Sequence, residues 1–316
     1  MLSNLLVVLP IFALILTGFV ARRSGALGPT ATREVNRFVV YLALPAMLFS
    51  IMAKADPREI WQPDFIIAFT AGCALVFGAT LWVRKRQGCH LADAAIDGLN
   101  ASYPNTGFMG FPLVLAVVGS SAMGATMIAT ILTACVLFAV AIVLIECALQ
   151  TGSRRRDILA KTALALVKNP LLVAPALGAA MMASGLSLPE TLDSYLALLG
   201  GAASPCALVA LGLFLADNAN AARAEVPVSN SRVQAVLVAL KLVVQPAITW
   251  VIAVPILALP TGVAHLAVLL AALPTGTGPF MLAEFYQREA LLTSRVVLTT
   301  TVLSVASLSL YLSIAG

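Results

Sequence analysis

The sequence predicts an all-α polytopic membrane protein of ten transmembrane helices, arranged as two inverted repeats of five. Three observations predict it: a strongly apolar composition, ten apolar stretches of helical length, and a set of glycines and prolines that recurs between the two halves. The chain has 316 residues, of which 60% are hydrophobic and only 10% are charged. Soluble proteins are nearer to about 25% charged, so the solvent of this chain is expected to be largely lipid.

Each predicted span carries about 20 mostly apolar residues, the length that crosses a bilayer as a helix. The first span is expected to be retained, since no basic residue precedes it as a signal peptide would require. The spans lie near residues 2–21, 35–53, 65–83, 93–118, 122–149, 158–183, 191–215, 233–258, 264–286 and 291–314.

Basic residues are concentrated in alternate connections between these spans. The even-numbered connections hold only Lys54 and Arg58, whereas the odd-numbered ones hold clusters around Arg22, Arg84 and Arg154. Cytoplasmic connections are enriched in Lys and Arg, so we expect a bacterial inner-membrane protein with both termini on the periplasmic side. Because the basic residues form short clusters between apolar spans, the net charge of +5 does not indicate nucleic acid as a partner.

The two halves share glycines, serines and prolines at a shift of 160 residues. Five is an odd number, so the two copies insert in opposite orientations, as in the inverted repeats of secondary transporters. This divides the chain into a first repeat at 1–149, a short cytoplasmic loop at 150–157 and a second repeat at 158–316. Independent use of helix kinks is the alternative. The matched pairs are Pro10 and Pro170, Gly18 and Gly178, Ser24 and Ser184, Gly25 and Gly185, Pro29 and Pro189, and Pro45 and Pro205.

The fourth and ninth spans each hold two prolines and two glycines near the centre. Proline removes a backbone donor and clashes with the preceding turn, so both spans should unwind there. Interrupted helices at matching places in two repeats indicate a transport site, with simple kinks as the alternative. We expect Pro112 and Pro279 to begin the second half-helices, whose free N–H groups converge on an anion. The candidate binding residues are Asn105, Thr106, Gly107, Gly110, Pro112, Pro274, Thr275, Gly276, Thr277, Gly278 and Pro279.

Ionisable residues inside membrane spans are functional candidates. Lys241 lies nine residues after Arg232, about 13 Å along a helix. It compensates the charge of the anion or of the carbonyl ends of the broken helices, or alternatively snorkels to the surface. Asp93 and Asp97 open the fourth span, where carboxylates stabilise a helix N-terminus. Asp97 is also a candidate for proton coupling.

No pattern in the sequence is typical of an enzyme, a metal site or a cofactor site. The five cysteines are scattered without a CxxC pair and are interpreted as small buried hydrophobes. Cys89 and His90 are adjacent but lack a second pair of ligands. A membrane-embedded enzyme or sensor would need clustered catalytic residues or a soluble domain. We therefore predict no enzymatic activity, no metal and no cofactor.

The two interrupted spans resemble the motifs of the auxin efflux carrier family. Asn105-Thr-Gly-Phe-Met-Gly-Phe-Pro112 is similar to the fourth-helix motif of the family, and Pro274-Thr-Gly-Thr-Gly-Pro279 to its ninth-helix motif. Bacterial members include malate and malonate permeases. The resemblance therefore implies a secondary transporter of small organic anions such as carboxylates or dicarboxylates. The long cytoplasmic loop of many plant members is absent.

The resemblance also implies the fold of bile-acid sodium symporters and sodium–proton antiporters. In that fold, spans 1, 2, 6 and 7 form a scaffold, and spans 3–5 and 8–10 form a transport domain that holds the crossing helices. A Na⁺- or H⁺-coupled symporter or antiporter is the alternative function, although it needs deep carboxylates and Asp97 is expected near a helix end. The expected partners are the anion and the lipid bilayer, with a homodimer left open. Substrate identity, coupling ion and direction of transport stay undetermined.

Overall fold

The computed structural model describes residues 2–55, 62–150, 164, 166–217 and 228–315. Within them the chain is helical, without strands, and a single isolated β-bridge pairs Pro104 with Thr275. The helices, numbered along the chain, are α1 Leu2–Arg23, α2 Ala31–Ala53, α3 Pro63–Arg86, α4 Leu91–Ser102, α5 Thr106–Val117, α6 Met123–Leu149, α7 Pro170–Ser184, α8 Glu190–Asp217, α9 Ser231–Ile256, α10 Thr261–Ala271, α11 Gly278–Phe285 and α12 Ala290–Ala315.

In this part of the chain, six helices are long and apolar enough to cross a membrane, namely α2, α3, α6, α8, α9 and α12. The predicted all-helical polytopic membrane protein is thereby confirmed. The predicted fourth span is divided into α4 and α5, and the ninth into α10 and α11. The basic cluster around Arg154, the predicted loop beyond Gln150 and the start of the predicted sixth span lie outside the described residues.

Three wide π-helical turns in these helices end two residues before a proline. Proline lacks an N–H group, and its ring clashes with the carbonyl of the preceding turn. The wider turn relieves both problems, so these prolines bend their helices without ending them. The three turns are Val39–Ala43 before Pro45, Thr106–Gly110 before Pro112, and Leu240–Val244 before Pro246.

The helices pack as two groups. One consists of α1, α2, α7 and α8, and the other is built around α3, α4, α6, α9, α10 and α12. Glycine allows the backbones of the first group to touch, as small residues do at membrane helix crossings. A Cβ atom at Gly18 would lie 2.1 Å from the carbonyl oxygen of Val209, and one at Gly178 would lie 2.6 Å from that of Phe49. Both glycines and both partners are related by the shift of 160, so the α1–α8 and α7–α2 crossings use matching positions.

Candidate functional site

The two interrupted spans cross at their breaks and are joined by backbone hydrogen bonds. The N–H group of Asn105 donates to the carbonyl of Pro274 at 2.9 Å, and that of Gly276 donates to the carbonyl of Tyr103 at 3.0 Å. Unwound backbone at membrane depth must find partners within the protein. Each break therefore supplies hydrogen-bond partners for unwound backbone groups of the other. These bonds fix the point at which the two spans cross.

The carbonyl ends of α4 and α10 are capped by two side chains from α9. Lys241 Nζ donates to the carbonyl of Ala271 at 2.7 Å and to Gln245 Oε1 at 2.6 Å. Gln245 Nε2 donates to the carbonyl of Ser102 at 2.9 Å. The last carbonyls of a helix have no intrahelical donor and carry partial negative charge. Lys241 is fully buried, and its ammonium group binds the carbonyl end of α10 instead of reaching the surface.

Thr275 lies in the second break and is turned into the protein. Its Oγ1 donates to the carbonyl of Asn100 at 2.8 Å, and its N–H group donates to Thr300 Oγ1 at 3.2 Å. The side chain is fully buried and is not part of the cavity wall. Of the predicted binding residues, Thr275 therefore supports the crossing itself.

A cavity of about 460 Å³, including its open mouth, lies beside the crossing. One wall consists of residues 103–108 with Thr277 and Gly278, and the opposite wall comes from α2, α6 and α8. Asn105 and Thr277 are only 5% and 3% exposed. Their side chains form no hydrogen bond with other described residues, so their donors are available to a ligand.

The glycines of the two breaks have different surroundings. A Cβ atom at Gly276 would lie 2.8 Å from Tyr103 Cε1, and one at Gly278 would lie 3.0 Å from the Tyr103 hydroxyl oxygen. At Gly107 and Gly110 the nearest atoms would be 3.7 and 3.4 Å away, which is ordinary contact. Close approach therefore requires glycine in the second break, where the Tyr103 ring packs.

The start of the second half-helix differs from the prediction in the first repeat. Pro279 lies in the first turn of α11, as predicted, with Thr277 before the helix. Pro112 lies in the first turn of the α-helical segment Phe111–Val117, as predicted, but a π-helical turn precedes that segment, so α5 as a whole already starts at Thr106. The π-helical turn accommodates the proline inside the helix. The N–H group of Thr106 donates to the carbonyl of Pro104 at 2.8 Å, so the N–H groups at the start of α5 without a described backbone partner are those of Gly107 and Phe108, which line the cavity.

The expected capping role of Asp97 is wrong. His90 precedes α4 and accepts a hydrogen bond at Nδ1 from the N–H group of Ala92, while Asp93 in the first turn receives two bonds from Arg288. Asp97 lies a further turn into the helix, is fully buried and is outside the cavity wall. A side chain that deep cannot reach the free N–H groups of the helix start.

Sequence reasoning missed three side chains that shape the crossing. Gln245 was detectable as a polar residue four positions after Lys241 in an apolar span. Tyr103 stands two residues before the quoted motif and was not assigned to the site, although it lines the cavity. Thr133 of α6 shares a hydrogen bond with Thr106, with 2.9 Å between the two hydroxyl oxygens, and nothing in its local sequence indicated this contact.

A second, wider cavity of about 1370 Å³, including its open mouth, lies at the ends of α2, α8 and α11. Arg33 and Arg37 of α2 line it. Tyr41 and Phe285, which also line it, join α2 to α11 with ring centroids 5.8 Å apart in an edge-to-face arrangement. Two carboxylates, Asp217 and Glu284, line the same cavity, so its wall carries side chains of both signs.

Comparison with known proteins shows that the sequence is similar to those of membrane transporters. The profile of a family described as "Membrane transport protein" matches residues 5–312. A Rhizobium meliloti (strain 1021) protein named "Putative malonate transporter" is 30% identical over 215 residues, 66% of each chain. "Uncharacterized transporter YfdV" of Escherichia coli (strain K12) is 25% identical over 216 residues, 66% of this chain and 67% of that protein. The match thus spans slightly less than two thirds of the Rhizobium protein.

Proposed function

Because the chain belongs to the auxin efflux carrier family of membrane transport proteins, we propose that it carries small organic anions across the bacterial inner membrane. The family and the names of the relatives are those of transporters and not of enzymes. The observation that carries the proposal is a pair of donors in the cavity beside the crossing, Asn105 and Thr277, whose side chains have no hydrogen-bond partner among the described residues.

A carboxylate suits this cavity because two helix starts lie at its wall. α5 begins at Thr106 and α11 at Gly278, and both residues line the cavity. Helix starts present free N–H groups and partial positive charge, which favour anions. None of the described residues in the cavity wall has a charged side chain, so the anion is held by dipoles and hydrogen bonds and is released more easily than from an ion pair.

The substrate class we propose is a dicarboxylate such as malonate, the compound in the name of the Rhizobium relative. Two helix starts offer one site to each carboxylate of a short dianion. Asn105 Nδ2 and the Thr277 hydroxyl add one donor each, while Gly107 and Gly278 allow close approach of the ligand to the backbone.

Alternating access between two helix groups completes the proposed mechanism. Ten spans in inverted repeats, with α1, α2, α7 and α8 as scaffold, are supported by the packing and by the matched crossings of Gly18 and Gly178. The cavity lies between the groups and has free space for only about two or three water molecules. Relative movement of the groups would open it to a dicarboxylate.

Transport of labelled malonate into proteoliposomes tests the proposed function. We expect counterflow with the purified protein, loss of malonate binding in Asn105→Leu, and repulsion of the anion in Thr277→Asp. The control is Thr261→Asp, which adds the same charge at an exposed position and should transport normally. Normal binding by both cavity variants would contradict the site, and absence of counterflow with every short carboxylate would contradict the function.

The proposed orientation places the odd-numbered connections in the cytoplasm. It is supported by contacts that bring these connections to one end: Arg22 bonds to Asp217, and Arg288 bonds to Asp93. A reporter that is active only in the cytoplasm, fused after the last residue, should be silent. Strong activity of that fusion would contradict ten spans with periplasmic termini.

A further inference from the structure

A second polar cluster lies in α4, away from the cavity wall. Asp97 is fully buried there, and Arg84 of α3 donates from Nε to Asp97 Oδ2 at 2.6 Å. The other carboxylate oxygen, Oδ1, is also buried and has no hydrogen-bond partner among the described residues. A buried acceptor without a donor is costly, so the contact with Arg84 leaves half of this carboxylate unsatisfied.

Asn100 places a second unbonded acceptor on the same face of α4. It follows Asp97 by three residues, a spacing at which side chains are neighbours on a helix. Its Nδ2 donates to Thr293 Oγ1 of α12 at 2.9 Å, whereas its Oδ1 is buried and unbonded in the described part of the chain. One proton on Asp97 Oδ1 would create an O–H donor, and Asn100 Oδ1 is the neighbouring acceptor for it.

Asn100 also connects this cluster to the crossing. Its backbone carbonyl accepts the hydrogen bond from Thr275 Oγ1 in the second break. Thr275 is in turn bonded to Thr300, which lies on α12 with Thr293. A change in the hydrogen bonding of Asn100 therefore acts on the residues that position the anion cavity, without any residue of the cluster lining that cavity.

The charges around Asp97 favour uptake of a cation. Two cations, Arg84 and Arg288, lie among three carboxylates, Asp93, Asp97 and Glu289. The cluster therefore carries one net negative charge when all its members are ionised. Outside the spans, burial and the neighbouring Asp93 raise the pKa of the Glu289 carboxyl.

The other titratable groups on elements packed against α4 are bonded elsewhere or lie at the edge of the cluster. Bonded elsewhere are Lys241 to Ala271, Glu146 to Tyr286, Glu284 to Gln287 and Cys73 to Gln245. Cys89 lies beside Arg84, Arg295 is half-buried on α12, and Lys85, Arg86 and Arg232 are exposed.

Resting on the proposed function, we propose that Asp97 binds a proton that is transported together with the anion. The proton comes from water, forms the O–H bond at Asp97 Oδ1, and leaves to water on the other side of the membrane. Asp97 lies five residues before Ser102, the end of α4, about 8 Å along the helix, and Asn105 follows in the break. Over roughly 12 Å, at an effective dielectric constant of about 20, neutralising this charge strengthens binding of one carboxylate at Asn105 roughly tenfold. Positive coupling of this kind makes the carrier a proton symporter.

Two other arrangements would satisfy the same acceptors. The oxygen and nitrogen of an asparagine side chain are assigned from the hydrogen-bond network, so rotation of the Asn100 amide would give Asp97 Oδ1 a donor without a proton. A sodium ion is the second alternative, because it also binds carboxylate and amide oxygens. The experiment therefore has to measure the coupling ion directly.

The experiment uses the whole protein in proteoliposomes with labelled malonate and an enclosed pH dye. For the unchanged protein, we expect malonate affinity to fall about tenfold as the pH rises through the titration of Asp97, and malonate influx to carry protons inward. In Asp97→Asn, a neutral side chain of the same shape, we expect affinity that no longer changes with pH and no accumulation driven by a pH gradient. Glu146→Gln is the control and should keep both responses.

Three results would contradict the proposal that Asp97 binds the transported proton. Accumulation driven by a sodium gradient alone, malonate influx by the unchanged protein without proton movement, or loss of the pH response in Glu289→Gln but not in Asp97→Asn would each contradict it. The pH-dye measurement on the unchanged protein needs no variant, so it shows whether protons move with malonate even if Asp97→Asn does not fold. If no carboxylate is transported at all, the proposed function itself is contradicted. That outcome differs from transport without proton coupling, so the two proposals can be tested separately.

Discussion

The break between α4 and α5 is short, and the break between α10 and α11 is longer. Three residues, 103–105, separate the first pair of helices, and six residues, 272–277, separate the second. In the first break a π-helical turn takes up Pro112, so the helix resumes early. In the second, Pro279 stands in the first turn of α11 and the chain stays open up to it. The same proline and glycine content therefore gives two different backbones.

The carbonyl ends of the two breaks also differ in their partners. A charged group, Lys241, caps α10 at Ala271, whereas a neutral amide, Gln245, caps α4 at Ser102. Hydrogen bonds from charged donors contribute more than neutral ones. The comparison teaches that two breaks of similar composition differ in backbone and in chemistry, since among the described residues a positive charge caps one carbonyl end and a neutral amide caps the other.

The largest effect is expected from removing that charge. Lys241→Met leaves the carbonyl of Ala271 and Gln245 Oε1 without their donor, which should lower the free energy of unfolding by about 3 kcal/mol. Malonate counterflow should be strongly reduced, and Lys241→Arg should restore part of it. The matched variant Gln245→Leu removes the neutral cap and should cost only about 1–2 kcal/mol. Denaturant unfolding in detergent measures both, and equal losses would show that the charge contributes nothing.

Glycine substitutions at the two breaks are expected to have effects of intermediate size, and they test whether the breaks tolerate added volume differently. Gly276→Ala forces a methyl group against the Tyr103 ring, and such overpacking costs about 1–3 kcal/mol. Gly110→Ala meets only ordinary contact after the first break and lies outside the cavity wall, so it should be tolerated. We expect weaker malonate binding in the first variant and nearly unchanged binding in the second. Isothermal titration in detergent measures this, and similar affinities in both variants would contradict the assigned role of Tyr103.

The smallest effect is expected from two threonines in equivalent breaks. Thr275→Val removes the bond to Asn100 and should lower the free energy of unfolding by about 1 kcal/mol. Thr106→Val should cost about 0.5 kcal/mol, because Thr133 keeps its own bond to Ala129. Since Thr106 lines the cavity and Thr275 does not, malonate affinity should fall more in Thr106→Val. A reversed order of the two affinities would indicate that Thr275 faces the ligand.

Most of the helical fold was predictable from the sequence, and the site was predictable in part. Apolar length and basic clusters located the helices, and the proline and glycine clusters located both breaks. An α-helical segment does begin next to Pro112, but the helix as a whole resumes at Thr106, because a π-helical turn can precede a proline without ending the helix. The expected capping role of Asp97 was wrong because the partner, Arg84, comes from the preceding helix. The ten-span count, the orientation and the binding residues stay predictions.

The sequence by itself determined which segments are apolar enough to enter a membrane and where two of them unwind. These properties depend on local chemistry, since a segment is either apolar enough to leave water or it is not, and proline lacks an N–H group wherever it stands. Only the tertiary structure decided which groups satisfy the unwound backbone. Lys241, Gln245 and Thr275 reach carbonyls on other helices. Such pairings depend on how the helices cross, because a hydrogen bond forms only within about 3 Å, and sequence spacing carries no record of that distance.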